Sequence, residues 1–189
     1  MLSTHPHDEI KECKLYIRVL IYIIFRFISH WDFNFSLPNN IIYNSADGYA
    51  LSNSIYANLA HFSGINGSVI YLNFRLFTPW QGKAPLYVFV IFIKTMESKS
   101  IIQRFPVEPQ RNTTNWQTIP IALHALQIRP GAFLGIGMQH TCDTNKLYNV
   151  INTLGTFHAK NITPHVIDIT RSDYSSSGIA FSYTVARYH

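Results

Sequence analysis

The densest run of metal-capable side chains is His140-Thr141-Cys142-Asp143-Thr144-Asn145, with His158 and His165 downstream. If that run is extended, His140 and Cys142 share one face, and imidazole with thiolate suits zinc. If it is a loop, Asp143 and Asn145 offer oxygen ligands that suit calcium. The candidate metal residues are therefore His140, Asp143 and Asn145, with zinc and calcium both open; no other pattern calls for a cofactor.

Acid–base chemistry has less to work with. After residue 40 the acids are Asp47, Glu97, Glu108, Asp143, Asp168 and Asp173. A glycosidase needs two facing carboxyl groups roughly 5–10 Å apart. Glu97 and Glu108 fall in or beside predicted loops, and nothing in the sequence makes them converge. There is no G-x-S-x-G, no H-E-x-x-H, no phosphate-cradling glycine loop and no C-x-x-C. The sequence assigns no catalytic residue.

Aromatic side chains give the most concrete binding site. Trp80 lies inside the turn Thr78–Lys83, between polar neighbours that include Gln81 and Lys83. A loop-tip indole can stack on a sugar ring or bury in a partner protein. Tyr49, Tyr148 and Tyr174 fall in or near loops and could join it. Trp116 precedes the alternation of Ile119 and Ile121 and is assigned to the core.

The elements that would position these residues are short strands. In Val69–Phe77 the residues Ile70, Leu72, Phe74 and Leu76 alternate with Tyr71, Asn73 and Arg75, the period-2 pattern of a half-buried strand. Ile179–Tyr188 alternates likewise. Leu86–Ile93 is apolar throughout, as a central strand covered on both faces would be. Further candidates are Ile55–Phe62, Ile101–Val107, Thr118–Leu123, Phe133–Gln139, Leu147–Leu154 and Val166–Thr170. Turn residues separate them at Asp47-Gly48, Gly64–Gly67, Thr78–Gly82, Pro130-Gly131 and Ser175–Gly178. Strands of this spacing, with no long amphipathic helix after residue 40, predict an all-β antiparallel sandwich of jelly-roll type over residues 31–189.

Residues 1–30 read differently. Between Ile10 and Ser29 the polar positions Lys11, Lys14, Arg18, Tyr22, Arg26 and Ser29 recur every three or four residues, a helical period. The segment suits a secretory leader, an interfacial membrane helix in contact through residues 10–29, or a helix packed on the domain. Its β-branched and aromatic content would also suit a strand. Whether Cys13 pairs with Cys142 stays open.

The chain has 189 residues, 47% hydrophobic and 13% charged, which excludes intrinsic disorder and fits one folded domain. Its net charge is +5. From Arg75 to Arg129 there are seven bases against two acids, which equals the whole excess and locates it beside Trp80. Such a balance attracts anionic sugars, phosphates or lipid. No run of like charges accompanies it, so nucleic acid is disfavoured as a partner.

The segment Leu126-Gln127-Ile128-Arg129-Pro130-Gly131-Ala132-Phe133-Leu134-Gly135-Ile136-Gly137 resembles a turn that recurs in extracellular β-sandwich modules of invertebrates. The Gly-Ser-Val at 67–69, the Pro-Leu-Tyr-Val at 85–88 and Trp116 extend the resemblance over about residues 64–140. It implies a secreted adhesion or glycan-binding role. Ala132 stands where that family carries an acid. Asn34, Asn66, Asn112 and Asn161 each begin an N-x-[ST] acceptor pattern, which suits the secretory route.

Together these readings favour an extracellular, non-enzymatic module that binds glycans or a partner protein. The alternatives are a glycan-acting or metal-dependent hydrolase, and a structural jelly-roll subunit of an oligomer or capsid. The sequence does not fix the oligomeric state.

Overall fold

Alternation with β-branched and aromatic residues writes strands along this chain, and strands are what form. The structure, a computed structural model, describes residues 32–35, 42–61, 63–82, 84–95, 98–140, 145–151, 155–163, 165, 168–169, 173–175 and 177–188. The apolar segment 1–30 lies outside these. Among the described residues there are fifteen strands and no helix. They are β1 (Asp32–Phe35), β2 (Ile42–Ala50), β3 (Ser54–Asn58), β4 (Gly67–Arg75), β5 (Leu86–Ile93), β6 (Lys99–Val107), β7 (Trp116–Pro120) and β8 (Gln127–Ile128). There follow β9 (Ala132–Met138), β10 (Lys146–Ile151), β11 (Thr156–Lys160), β12 (Asp168–Ile169), β13 (Asp173–Ser175), β14 (Gly178–Ile179) and β15 (Phe181–Arg187).

All named pairings are antiparallel and form three sheets. One runs β1-β15-β4-β7, with β8 also on β4; the second runs β14-β10-β2; the third runs β12-β6-β5-β9-β3-β11-β13. Seven strands laid flat would span roughly 29 Å at ~4.8 Å per strand. Yet β12 and β13, at opposite ends of the third sheet, are joined by three residues, a reach of at most ~15 Å. The sheet must therefore curl. The Lys99 ammonium on β6 accordingly lies 5.4 Å from the ring of Phe157 on β11 and 5.6 Å from that of Tyr174 on β13.

A sheet apolar on both faces makes this possible. Leu86, Val88, Val90, Leu134, Ile136 and Met138 turn one way and share a core with Leu72, Phe74, Phe181, Tyr183 and Val185 of the first sheet. Phe89, Ile91, Phe133, Ile55, Phe157 and Ile169 turn the other way into a second cluster. The close approach of β3 to β9 needs Gly137: a Cβ there would lie 1.9 Å from the Ser54 carbonyl oxygen.

Strand by strand, Leu86–Ile93 forms as read. Others differ at their ends or were not foreseen. The Asp47-Gly48 turn is instead part of β2, where the chain bulges. Gly48 faces Tyr148 and Tyr43 faces Val150, so four residues of β2 oppose only Asn149. The Pro130-Gly131 turn is real. Gly131 has φ +79°, and the Ala132 N–H donates to the Arg129 carbonyl at 3.0 Å, the pattern of a type II turn.

Candidate functional site

Trp80 and Trp116 exchange places relative to expectation. Trp80 is only 5% exposed. It forms a parallel bridge with Arg111 and packs in the core with Ala84, Leu86 and Val107. A groove of about 450 Å³ runs past it, lined by Gly82, Pro106, Glu108 and Arg111, but the indole is not offered as a stacking face. Gln81 is exposed; Lys83 lies outside the described residues.

Trp116, read as core, is 39% exposed. Parity gives the reason. Ile119 turns inward on β7, so Gln117 shares its face and is buried, its Oε1 accepting the Gln110 N–H at 2.7 Å. Trp116 and Thr118 must turn outward. The register of β7 on β4 and of β4 on β15 then assembles an outer face. Trp116 stands across from Arg75, Thr118 across from Asn73, and Asn73 across from Ser182. The Thr118 hydroxyl donates to Asn73 Oδ1 at 2.8 Å. A hollow of about 260 Å³ is lined by Asn73, Trp116, Thr118 and Ser182. Tyr71, 45% exposed, lies four residues before Arg75 on β4, about 13 Å along the strand.

Arg75 links this face to the second sheet. Its Nε donates to the Thr114 carbonyl at 2.8 Å, and its guanidinium carbon lies 4.3 Å from the centre of the Tyr148 ring. Tyr148 thus borders the Trp116 face. The other tyrosines do not. Tyr49, Tyr148 and Tyr174 all sit on strands rather than loops. Tyr49 faces buried Leu147 across the β2–β10 pair, which turns it away from Tyr148, and its hydroxyl donates to Ser175 Oγ at 3.2 Å. Tyr174, 56% exposed, faces Phe157 at the edge of the curled sheet.

The basic excess is not one patch beside Trp80. Lys94 pairs with Asp168 at 2.9 Å, holding that carboxyl below its ordinary range together with a hydrogen bond from Ser100. Lys99 is buried, Arg75 covers Tyr148 and Arg129 lies over Phe92 at 4.3 Å. Strand alternation and curl distribute these residues over separate surfaces.

Of the candidate metal residues, His140 is exposed and Asn145 is buried; Asp143 and Cys142 lie outside the described residues. The carbonyl of His140 accepts from Asn53 N–H and Ser52 Oγ, which fixes its backbone. His158 stacks on Tyr56 at 4.2 Å. Among the described residues no three His, Cys, Asp or Glu side chains group around a common point. Asp168 faces Ser100 near one end of β6 and Glu108 follows its other end, roughly 23 Å away, too far to act on one glycosidic bond. Asn66, Asn112 and Asn161 are exposed, the last two with φ of +58° and +59°; Asn34 lies on β1 opposite Thr184.

No family model, curated protein or solved structure matches this chain. Its class is defined by its own architecture, an all-β protein of antiparallel sheets.

Proposed function

We propose that this chain is a secreted, non-enzymatic recognition module of jelly-roll type that binds glycans on the outer face of its first sheet. The observation that carries the reading is Trp116, an indole left partly open beside a hollow of hydroxyl and amide groups. Sugar recognition combines these two chemistries: an apolar ring face for stacking, and short polar side chains for hydroxyl groups. Tyr71 supplies a second ring at the far end of the face. The exposed acceptor asparagines at 66, 112 and 161 and the resemblance over residues 64–140 support an extracellular setting.

The test is binding of the full chain to an array of immobilised glycans. Trp116→Ala and Tyr71→Ala should each weaken capture about tenfold or more, the loss of some 1.4 kcal/mol of contact. Undiminished capture by both variants would overturn the reading.

A further inference from the structure

A groove of about 760 Å³ is lined in part by Asn66, Ile102, Gln103, Gln127 and Tyr188. Asn66 begins the acceptor pattern Asn66-Gly67-Ser68. Its backbone sets it apart from the exposed acceptors Asn112 and Asn161. Those two stand at left-handed turn positions, with φ of +58° and +59°, whereas Asn66 leads directly into β4.

The first sheet decides what stands beside that asparagine. Gly67 faces Arg187 in the β4–β15 register, and one step further the Tyr188 N–H donates to the Asn66 carbonyl at 3.1 Å. Asn66 and Tyr188 are thus cross-strand neighbours, whose side chains share a face, and both line the groove. His124 holds the Tyr188 ring in place. Their ring centres are 5.4 Å apart at 28°, and the Tyr188 hydroxyl lies 3.0 Å from His124 Nδ1. A ring already fixed loses little freedom when a ligand lies on it. The lining also brings Ile102 of β6, 44% exposed, and a braced amide: Gln103 Nε2 donates to the Ala125 carbonyl at 2.9 Å and its Oε1 accepts the Gln127 N–H at 3.3 Å. These groups suit N-acetylglucosamine, with a phenol for the sugar's ring face, an aliphatic chain for its acetyl methyl and amides for its hydroxyl groups.

We propose that Asn66 carries an N-linked glycan whose first N-acetylglucosamine lies in this groove against Tyr188. The proposal rests on the secreted setting inferred above, but not on capture of other glycans by the Trp116 face. In the transfer step, Asn66 Nδ2 bonds to C1 of the sugar as the C1–O bond to a lipid diphosphate donor breaks. The diphosphate leaves with the bonding pair, and the amide gives up one proton. Ser68 sets the timing. A transferase must reach the hydroxyl of the third residue as well as the asparagine, yet Ser68 is fully buried and its Oγ accepts the His124 N–H at 2.7 Å. The sugar is therefore added before β8 and His124 close over β4. Once seated it reaches from β4 to Ile102 on β6, adding contact between the first sheet and the curled one.

The experiment produces the full chain behind a cleavable leader in secreting eukaryotic cells. Enzymatic release of the glycans in heavy-oxygen water converts each modified asparagine to labelled aspartate, and mass spectrometry should find that label at Asn66. Trimming the glycan to its first sugar should leave the thermal transition in place. Asn66→Gln should lower the transition by roughly 3 °C or more, and Asn112→Gln should not. In a Tyr188→Ala background, Asn66→Gln should cause no further loss. Sugar at Asn112 or Asn161 with Asn66 bare overturns the inference and leaves the secreted setting standing. So does a glycan at Asn66 whose loss leaves the transition unmoved, or moves it equally with and without Tyr188. Three bare asparagines overturn the inference and also withdraw the support that the acceptor patterns lend to that setting.

Discussion

The side-chain amide of Asn58 pairs with both main-chain groups of Ile179. Its Oδ1 accepts the Ile179 N–H at 2.8 Å and its Nδ2 donates to the Ile179 carbonyl at 3.0 Å. The same nitrogen also donates to the Phe181 carbonyl at 2.8 Å. Asn58 belongs to the curled sheet, Ile179 to the second and Phe181 to the first, so one buried side chain joins all three.

Asn58→Ala removes three buried bonds and strands their backbone partners. At about 1–3 kcal/mol per orphaned group, partly relieved by water entering the gap, the loss should reach at least ~3 kcal/mol. Thermal unfolding should then fall by roughly 6–12 °C for a chain of this size. A shift under ~2 °C would show that the three sheets do not depend on this contact.

Glycine substitutions should separate sharply by site. At Gly64 an added Cβ meets nothing within 4 Å, so Gly64→Ala should be close to neutral. At Gly137 the same atom would sit 1.9 Å from the Ser54 carbonyl and push β9 off β3. Gly137→Ala should yield little soluble protein, or a transition far below wild type by circular dichroism. Equal stability of the two variants would contradict the β3–β9 register.

Much of this fold was legible because alternation and continuous apolar runs report burial directly. Val88, Phe89, Val90 and Ile91 are buried on alternate faces, as an unbroken run requires. β11 escaped notice because Thr156–Lys160 offers only Phe157 and Ala159 as an apolar pair. The curl was not legible at all, since it follows from which strands end beside each other. The Trp116 face was half legible. Tyr71 and Asn73 were placed outward by the parity of β4, and the same rule applied from Ile119 would have put Trp116 beside them. For Trp80 the sequence left two orientations open, an indole at the loop tip or one folded back over a sheet edge, because turn chemistry describes the backbone alone; the indole is buried.

Acid should weaken the fold through His61. The ring is buried against Tyr183, whose hydroxyl donates to the His61 carbonyl. Burial pushes the imidazole down from 6.5 to about 4. Below pH 6.5 the unfolded chain takes up a proton that the folded chain refuses until about pH 4, so this stability is present above the window and lost as pH falls through it. At ~1.4 kcal/mol per unit the loss totals roughly 3 kcal/mol. Urea midpoints of the wild type should drop across that window more steeply than those of His61→Phe. Parallel curves would remove His61 as the cause.

The two tryptophans should part in opposite directions when truncated. Trp80→Ala opens a cavity among Ala84, Leu86 and Val107, and buried Trp-to-Ala changes cost about 3–5 kcal/mol. At ~2–4 °C per kcal/mol its transition should fall by some 6 °C or more. Trp116→Ala removes a side chain that already faces solvent on one side, so it should cost no more than about 1 kcal/mol. Ligand capture should follow the reverse order, lost with Trp116 and kept by whatever fraction of Trp80→Ala remains folded. Measuring both properties on both variants separates a binding residue from a core residue, which a single loss of capture cannot do. If Trp116→Ala proves the less stable protein, its indole belongs to the core and the first sheet loses its binding face.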